Sequence, residues 1–190
     1  MSKAISNKNV ADAKFAPAPF DGPFKAALGR PELKGSWLIF GKSGSGKTTF
    51  ALQLAKYLTR FVDKVAFDSL EQGLSLSMQK AWKRVDMAAA GSKVIFLDKE
   101  SLPELRDRLS KRKSPNVIII DSVICLVGMR LADYQKLMND YPNKLFIFLA
   151  HEDDRGNPSP ALAEKIRKLS DIKMHVEGYK VCLLYTSDAA

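Results

Sequence analysis

The feature that most constrains this chain is a series of short apolar runs without polar alternation: WLIF at 37–40, VAF at 65–67, VIFL at 94–97, VIII at 117–120 and LFIFLA at 145–150. A strand with one wet face alternates polar and apolar residues; a run that does not is covered on both faces. Helical spacing fills the intervals. Phe50, Leu54, Leu58 and Phe61 share one face, as do Leu74, Met78, Ala81, Trp82 and Val85. Leu105 and Leu109 follow Ser101-x-x-Glu104, a capping-box pattern. A helix is expected over 129–138 with Tyr134 and Leu137 inward, and another from Leu162, Ile166 and Leu169. A last strand is expected over 172–176. Strands alternating with helices predict an α/β fold: a central, mostly parallel sheet with helices on both faces. Ligands of such sheets sit at the carboxyl ends of the strands, here the segments after Phe40, Phe67, Ile120 and Ala150.

Those are the four places where polar chemistry occurs. After Phe40 comes Gly41, Lys42, Ser43, Gly44, Ser45, Gly46, Lys47, Thr48, which meets G-x-x-x-x-G-K-[ST] at every fixed position, between a predicted strand and a predicted helix. Glycines let the backbone curl so that successive N–H groups converge on phosphate oxygens, and the helix start adds unpaired donors and the positive end of its dipole. The expected ligand is ATP with Mg²⁺, held by residues 41–48 together with Thr49. Lys47 would reach the β- and γ-phosphates, and Thr48 would ligate the metal. Asp121, at the end of the fourth strand, is the second candidate on the metal side, acting through water, with Ser122 beside it. Glu71, in DSLEQG at 68–73, is the candidate for orienting or deprotonating the attacking water, with Asp68 as alternative. His151, at the end of the fifth strand, is a candidate sensor of the terminal phosphate. The catalytic candidates are therefore Glu71, Lys47, Asp121 and His151. Arg155, Lys165, Arg167 and Lys168 lie downstream; either one of them serves a neighbouring subunit's nucleotide in trans, or each is a solvated surface cation.

Composition narrows the setting. The chain has 190 residues, 46% hydrophobic and 27% charged, which suits one domain without disulfides. No apolar run approaches the roughly 20 residues needed to span a bilayer. The two cysteines, Cys125 and Cys182, make no disulfide framework, and the first residues lack a secretory pattern, so a cytoplasmic setting is expected. The formal net charge of +9 favours a polyanionic partner such as DNA or RNA. Residues 1–22, with no sustained period, read as a disordered tail; 23–181 read as the domain. CLLYTSDAA at 182–190 resembles a translated sequencing adapter, so a non-native tail on a truncated chain is expected there.

GKSGSGKT, DSLEQG, IIIDSV and the stretch from LAHEDDRG to MHVEG resemble the RecA-like P-loop ATPases, specifically the RadA and DnaB-type core and the short recombinases of phages. The resemblance covers about residues 34–181. It implies a water-polarising glutamate at Glu71, the strand-end pair Asp121 and Ser122, and family positions at Asp171, Glu177 and Gly178. RadA-like proteins carry a lysine soon after the histidine, where this chain has Asp153 and Asp154. The resemblance implies ATP hydrolysis coupled to single-stranded DNA in recombination, repair or replication, and a ring or filament of identical subunits. DNA-binding loops would fall at 122–128 and 152–160, with Lys80, Lys83, Arg84, Lys111, Arg112 and Lys113 as a candidate basic groove. The alternatives are a small-molecule kinase, for which the sequence lacks an arginine-rich lid, and a regulatory nucleotide switch that does not bind DNA.

Overall fold

The computed structural model describes residues 4–184. They fall into two compact units, one up to Leu33 and one from Lys34. In the first, a short helix α1 (Asn7–Ala11) starts at Ser6, whose hydroxyl accepts from the Asn9 N–H at 3.2 Å. A second helix, α2 (Gly22–Leu28), has proline in its first turn, where a missing N–H costs nothing. Pro17 bridges to Glu32, and the Ala18 N–H donates to the Pro31 carbonyl at 2.8 Å. Ala18 and Phe20 are buried. The stretch expected as a featureless tail over 1–22 is thus structured in part, because residues 31–32 supply backbone partners that composition does not reveal.

The second unit holds the sheet. Its strands are β1 (Gly35–Gly41), β2 (Val65–Ser69), β3 (Val94–Leu97), β4 (Val117–Asp121), β5 (Leu145–Glu152), β6 (Pro158–Ser159), β7 (Ile172–Glu177) and β8 (Lys180–Leu183). Its helices are α3 (Lys47–Leu58), α4 (Leu76–Arg84), α5 (Leu102–Ser110), α6 (Leu131–Asp140) and α7 (Ala161–Leu169). The order across the sheet is β3-β2-β4-β5-β1-β7-β8, with β6 paired to β5. All pairings from β3 to β7 are parallel; β6 and β8 run antiparallel to β5 and β7. All five apolar runs form strands. Residues 37–40, 117–120 and 145–150 are all within 2% of complete burial, as expected of strands covered on both faces.

Local chemistry sets the helix boundaries. Ser101 and Glu104 make the predicted capping box, and Leu105 and Leu109 are buried behind it. Helix α4 starts two residues later than its apolar spacing suggests. The Ser75 hydroxyl accepts the Met78 N–H at 3.2 Å, so Ser75 is the cap and Leu74 is left 76% exposed. Tyr134 and Leu137 of α6 face inward, and the Tyr134 hydroxyl lies 2.6 Å from Ser36 Oγ. Cys182 and Leu183, expected in a foreign tail, form part of β8 opposite His175 and Met174; residues 185–190 of that expected tail lie outside the described residues.

Candidate active site

Strand β1 delivers the chain to Gly41 in a tight space, where a side-chain carbon would collide with the Val176 carbonyl oxygen. The chain then turns through a loop and enters α3 at Gly46, which has φ 101° and is followed by Lys47 as the first helical residue. Among the described residues no side chain caps this helix, so its first N–H groups remain available to an acceptor from outside. Lys47 is buried and its Nζ donates to the Gly41 carbonyl at 2.9 Å and the Lys42 carbonyl at 2.8 Å. Burial holds its ammonium below the usual lysine range, against the attraction of Asp121, Glu71 and Glu152. Ser45 Oγ is buried in the same loop without a hydrogen-bond partner among the described residues. A curled backbone, a buried cation and an orphaned hydroxyl together fit a polyphosphate.

The carboxylates come from neighbouring strand tips. The Thr48 hydroxyl donates to Asp121 Oδ2 at 2.8 Å. Asp121 is 3% exposed, and burial raises its pKa to about 6; the Thr48 hydrogen bond opposes that rise and the nearby Glu71 adds to it. An oxygen pair of hydroxyl and carboxylate beside a phosphate cradle is the donor set that Mg²⁺ prefers. The Glu71 N–H donates to the Asp121 carbonyl at 2.9 Å, which fixes the turn after β2 against the end of β4. From that turn the Glu71 carboxylate meets His151 Nε2 at 3.0 Å. The next residue of β5, Glu152, reaches past β1 to His175 on β7 at 2.7 Å.

A cleft of about 380 Å³ joins these groups. Ser43, Gly44, Gly46, Lys47, Thr48, Thr49, Glu71, Asp121 and His151 all line it. Gly41, Lys42 and Ser45 build the loop from beneath: two lend carbonyls to Lys47, and the Ser45 carbonyl accepts the Tyr179 N–H at 3.2 Å. All four predicted catalytic residues and the whole predicted loop therefore meet at one sheet edge. Asp68 does not join them. It is buried away from the cleft, where its carboxylate accepts the Glu100 N–H at 3.2 Å, and burial raises its pKa to about 7. Ser122 Oγ is buried without a partner among the described residues rather than bonded to Asp121. Asp171 is structural, its carboxylate accepting the Ser36 N–H at 3.0 Å.

Among the downstream cations, Arg167 lies over the Phe40 ring at 6.0 Å, Lys168 pairs with Glu164 at 3.1 Å, and none of the four lines the cleft. Asp153 shapes its own turn, accepting the Arg155 and Asn157 N–H groups at 2.9 and 2.8 Å. The expected basic groove is divided. Lys80 and Arg84 line this cleft, whereas 111–113 precede β4 and lie at the opposite sheet edge. Sequence reasoning missed Ser77, Lys80, Arg84 and Tyr179 as cleft residues. Ser77, Lys80 and Arg84 form the polar stripe of α4, at a spacing that the apolar stripe already implies. Tyr179 follows a glycine between two strand-like runs, a hairpin signal.

A family model described as the ATPase family associated with various cellular activities (AAA) matches residues 37–173. The DNA repair and recombination protein RadB of Methanosphaera stadtmanae is 31% identical over 102 residues, which cover 50% of this chain and 44% of RadB. The chain thus matches less than half of that relative's length. Among solved structures, the flagellar accessory protein FlaH of Methanocaldococcus jannaschii aligns with TM-score 0.62 and 16% identity, over 87% of this chain and 84% of its own. A KaiC-like protein of Pyrococcus horikoshii aligns with TM-score 0.62 and 18% identity, over 92% and 89% of the two chains. At such identities the two structures speak for the fold alone. With the phosphate loop and the family match in agreement, the chain belongs to the ATPases associated with various cellular activities and has a RecA-like P-loop fold.

Proposed function

We propose that the chain is a Mg²⁺-dependent ATPase whose turnover is coupled to single-stranded DNA, working as an assembly of identical subunits in recombination, repair or replication. The observation that carries the catalytic part is the meeting of Lys47, the Thr48–Asp121 pair and the Glu71–His151 pair in one cleft. The backbone of residues 41–49 and Lys47 hold the triphosphate, with Lys47 exchanging its two loop carbonyls for phosphate oxygens. Thr48 and Asp121 hold Mg²⁺, which supplies charge neutralisation at the phosphates. Glu71 accepts the proton of the attacking water, and His151 orients the Glu71 carboxylate and senses the phosphate beyond it.

Two observations support the DNA reading: the net charge of +9 and the RadB relative, named for DNA repair and recombination. The test is steady-state ATP hydrolysis measured against single-stranded DNA concentration while oligomer size is followed by light scattering. Hydrolysis should rise by several fold and the particle should grow as DNA is added. A rate and a size that ignore DNA would remove the DNA coupling and leave the ATPase.

A further inference from the structure

Five parallel strands start level with one another. Val94, Val65, Val117, Leu145 and Gly35 share one rung of the ladder, read from β3 across to β1. The residues just before them are Lys93, Lys64, Asn116, Lys144 and Lys34, so four of these five positions are lysine, all on the edge away from the phosphate loop. Neighbouring strands lie about 4.8 Å apart, which spreads the row over about 19 Å. At its gap, before β4, the chain supplies Lys111, Arg112 and Lys113 instead. Lys144 holds that loop on the row: its Nζ donates to Ser114 Oγ at 2.9 Å and to the Pro115 carbonyl at 2.6 Å. Lys93 ties in the end of α3, donating to the Thr59 carbonyl at 2.9 Å. Lys111 pairs with Asp107, but among the described residues Lys64, Arg112 and Lys113 have no ion-pair partner. Arg112 and Lys113 are exposed. Two carboxylates stand close to the row: Asp63, exposed, precedes Lys64, and Asp171, before β7, is held by the Ser36 N–H.

The carboxyl edge offers a linear polyanion less. Segment 122–128 has no charged residue, and 152–160 sets Arg155 against Glu152, Asp153 and Asp154. The exposed apolar side chains Leu74, Ile124 and Val127 stand at that same edge, which leaves the basic row from β3 to β1 without the apolar anchors that a membrane surface rewards. We propose that the amino edge of the sheet, from Lys93 to Lys34 with Arg112 and Lys113 at its centre, is the surface that holds the phosphate backbone of the DNA strand. The inference rests on the DNA reading above and says where the strand lies: across the strand starts, not on the loops after β4 and β5. A row of cations meets successive phosphates and displaces their counterions without reading bases. Helix α3 joins the two edges. It runs from Lys47 in the phosphate loop to Leu58, beside the carbonyl that Lys93 holds, and its 12 residues make a rod of about 18 Å.

The experiment follows fluorescence anisotropy of a labelled single-stranded oligonucleotide on the whole chain across a salt series. It compares wild type, Lys64→Gln, the pair Arg112→Gln with Lys113→Gly, and Arg155→Gln. Lys113 has φ 63°, which glycine suits, so the pair removes charge without straining the turn. The pair should lower affinity about tenfold at about 100 mM salt and flatten the log–log salt slope by about 1.4, the worth of two single-strand phosphate contacts. Lys64→Gln should flatten the slope by about 0.7, and Arg155→Gln should leave it as in wild type. Lower affinity at an unchanged slope would mark a damaged fold and overturn the inference, as would a loss confined to Arg155→Gln. So would affinity for phosphatidylserine vesicles that the row variants lose while their oligonucleotide binding stays. A wild type that binds no oligonucleotide would overturn the DNA reading itself, and the inference with it.

Discussion

Lys47 and Asp121 are both buried at the same sheet edge, and each is shifted toward its neutral form by that burial. Removing the lysine takes a buried cation out of the loop. Lys47→Ala should therefore weaken ATP binding by about 10- to 100-fold, the scale of a charge-assisted hydrogen bond, as read by equilibrium dialysis. Glu71→Gln keeps the size of the side chain but not its basicity. ATP affinity should hold while kcat falls by about 10²–10⁴-fold, checked by phosphate release under saturating ATP. Asp68 gives a test unrelated to catalysis. Its folded-state pKa of about 7 lies above the ordinary 3.8, so the folded chain keeps the proton after the unfolded chain has lost it. Folding is undiminished below about pH 4, weakens as the pH rises to about 7, and is constant above, with a ceiling on the loss of about 4 kcal/mol. Asp68→Asn retains an oxygen for the Glu100 N–H and cannot ionise. Its stability relative to wild type in urea should be greater at pH 8 than at pH 4.

At the scale of elements, apolar runs and caps were readable because each is written in adjacent residues. The Ser101–Glu104 box is an example, and Ser101→Ala should cost about 1 kcal/mol in urea unfolding. The β6 and β8 strands were not readable. β6 is two residues long, one of them proline, and exists because the Asp153 turn folds Pro158 and Ser159 back onto Glu152 and His151. β8 offers only four residues, none of them buried, and is set by its register with β7. The same limit hid Tyr179 from the site: its place in the cleft depends on a hairpin packed beside a strand far earlier in the chain. Lys47, Thr48, Asp121, Glu71 and His151 were legible because strand tips in a parallel sheet share an edge whatever their separation in sequence.

For the whole molecule, the charge of +9 makes a prediction that depends on no single contact. If single-stranded DNA is the partner, its affinity should fall linearly on a log–log plot against salt, losing at least about tenfold between about 50 and 200 mM. Fluorescence anisotropy of a labelled oligonucleotide checks this, and a flat plot would point to a partner held without phosphate contacts. The tip of β5 has a mechanical consequence at this scale. Two consecutive residues are gripped from opposite directions, His151 by Glu71 and Glu152 by His175, so the strand end behaves as a crossbar pinned at both ends. Loosening one pin is expected to slacken the other. Glu71 follows β2 and His175 lies on β7, two strands that are not neighbours in the sheet. Glu71→Gln and His175→Gln should nonetheless depart from additivity in a double-mutant cycle, read as stability in urea.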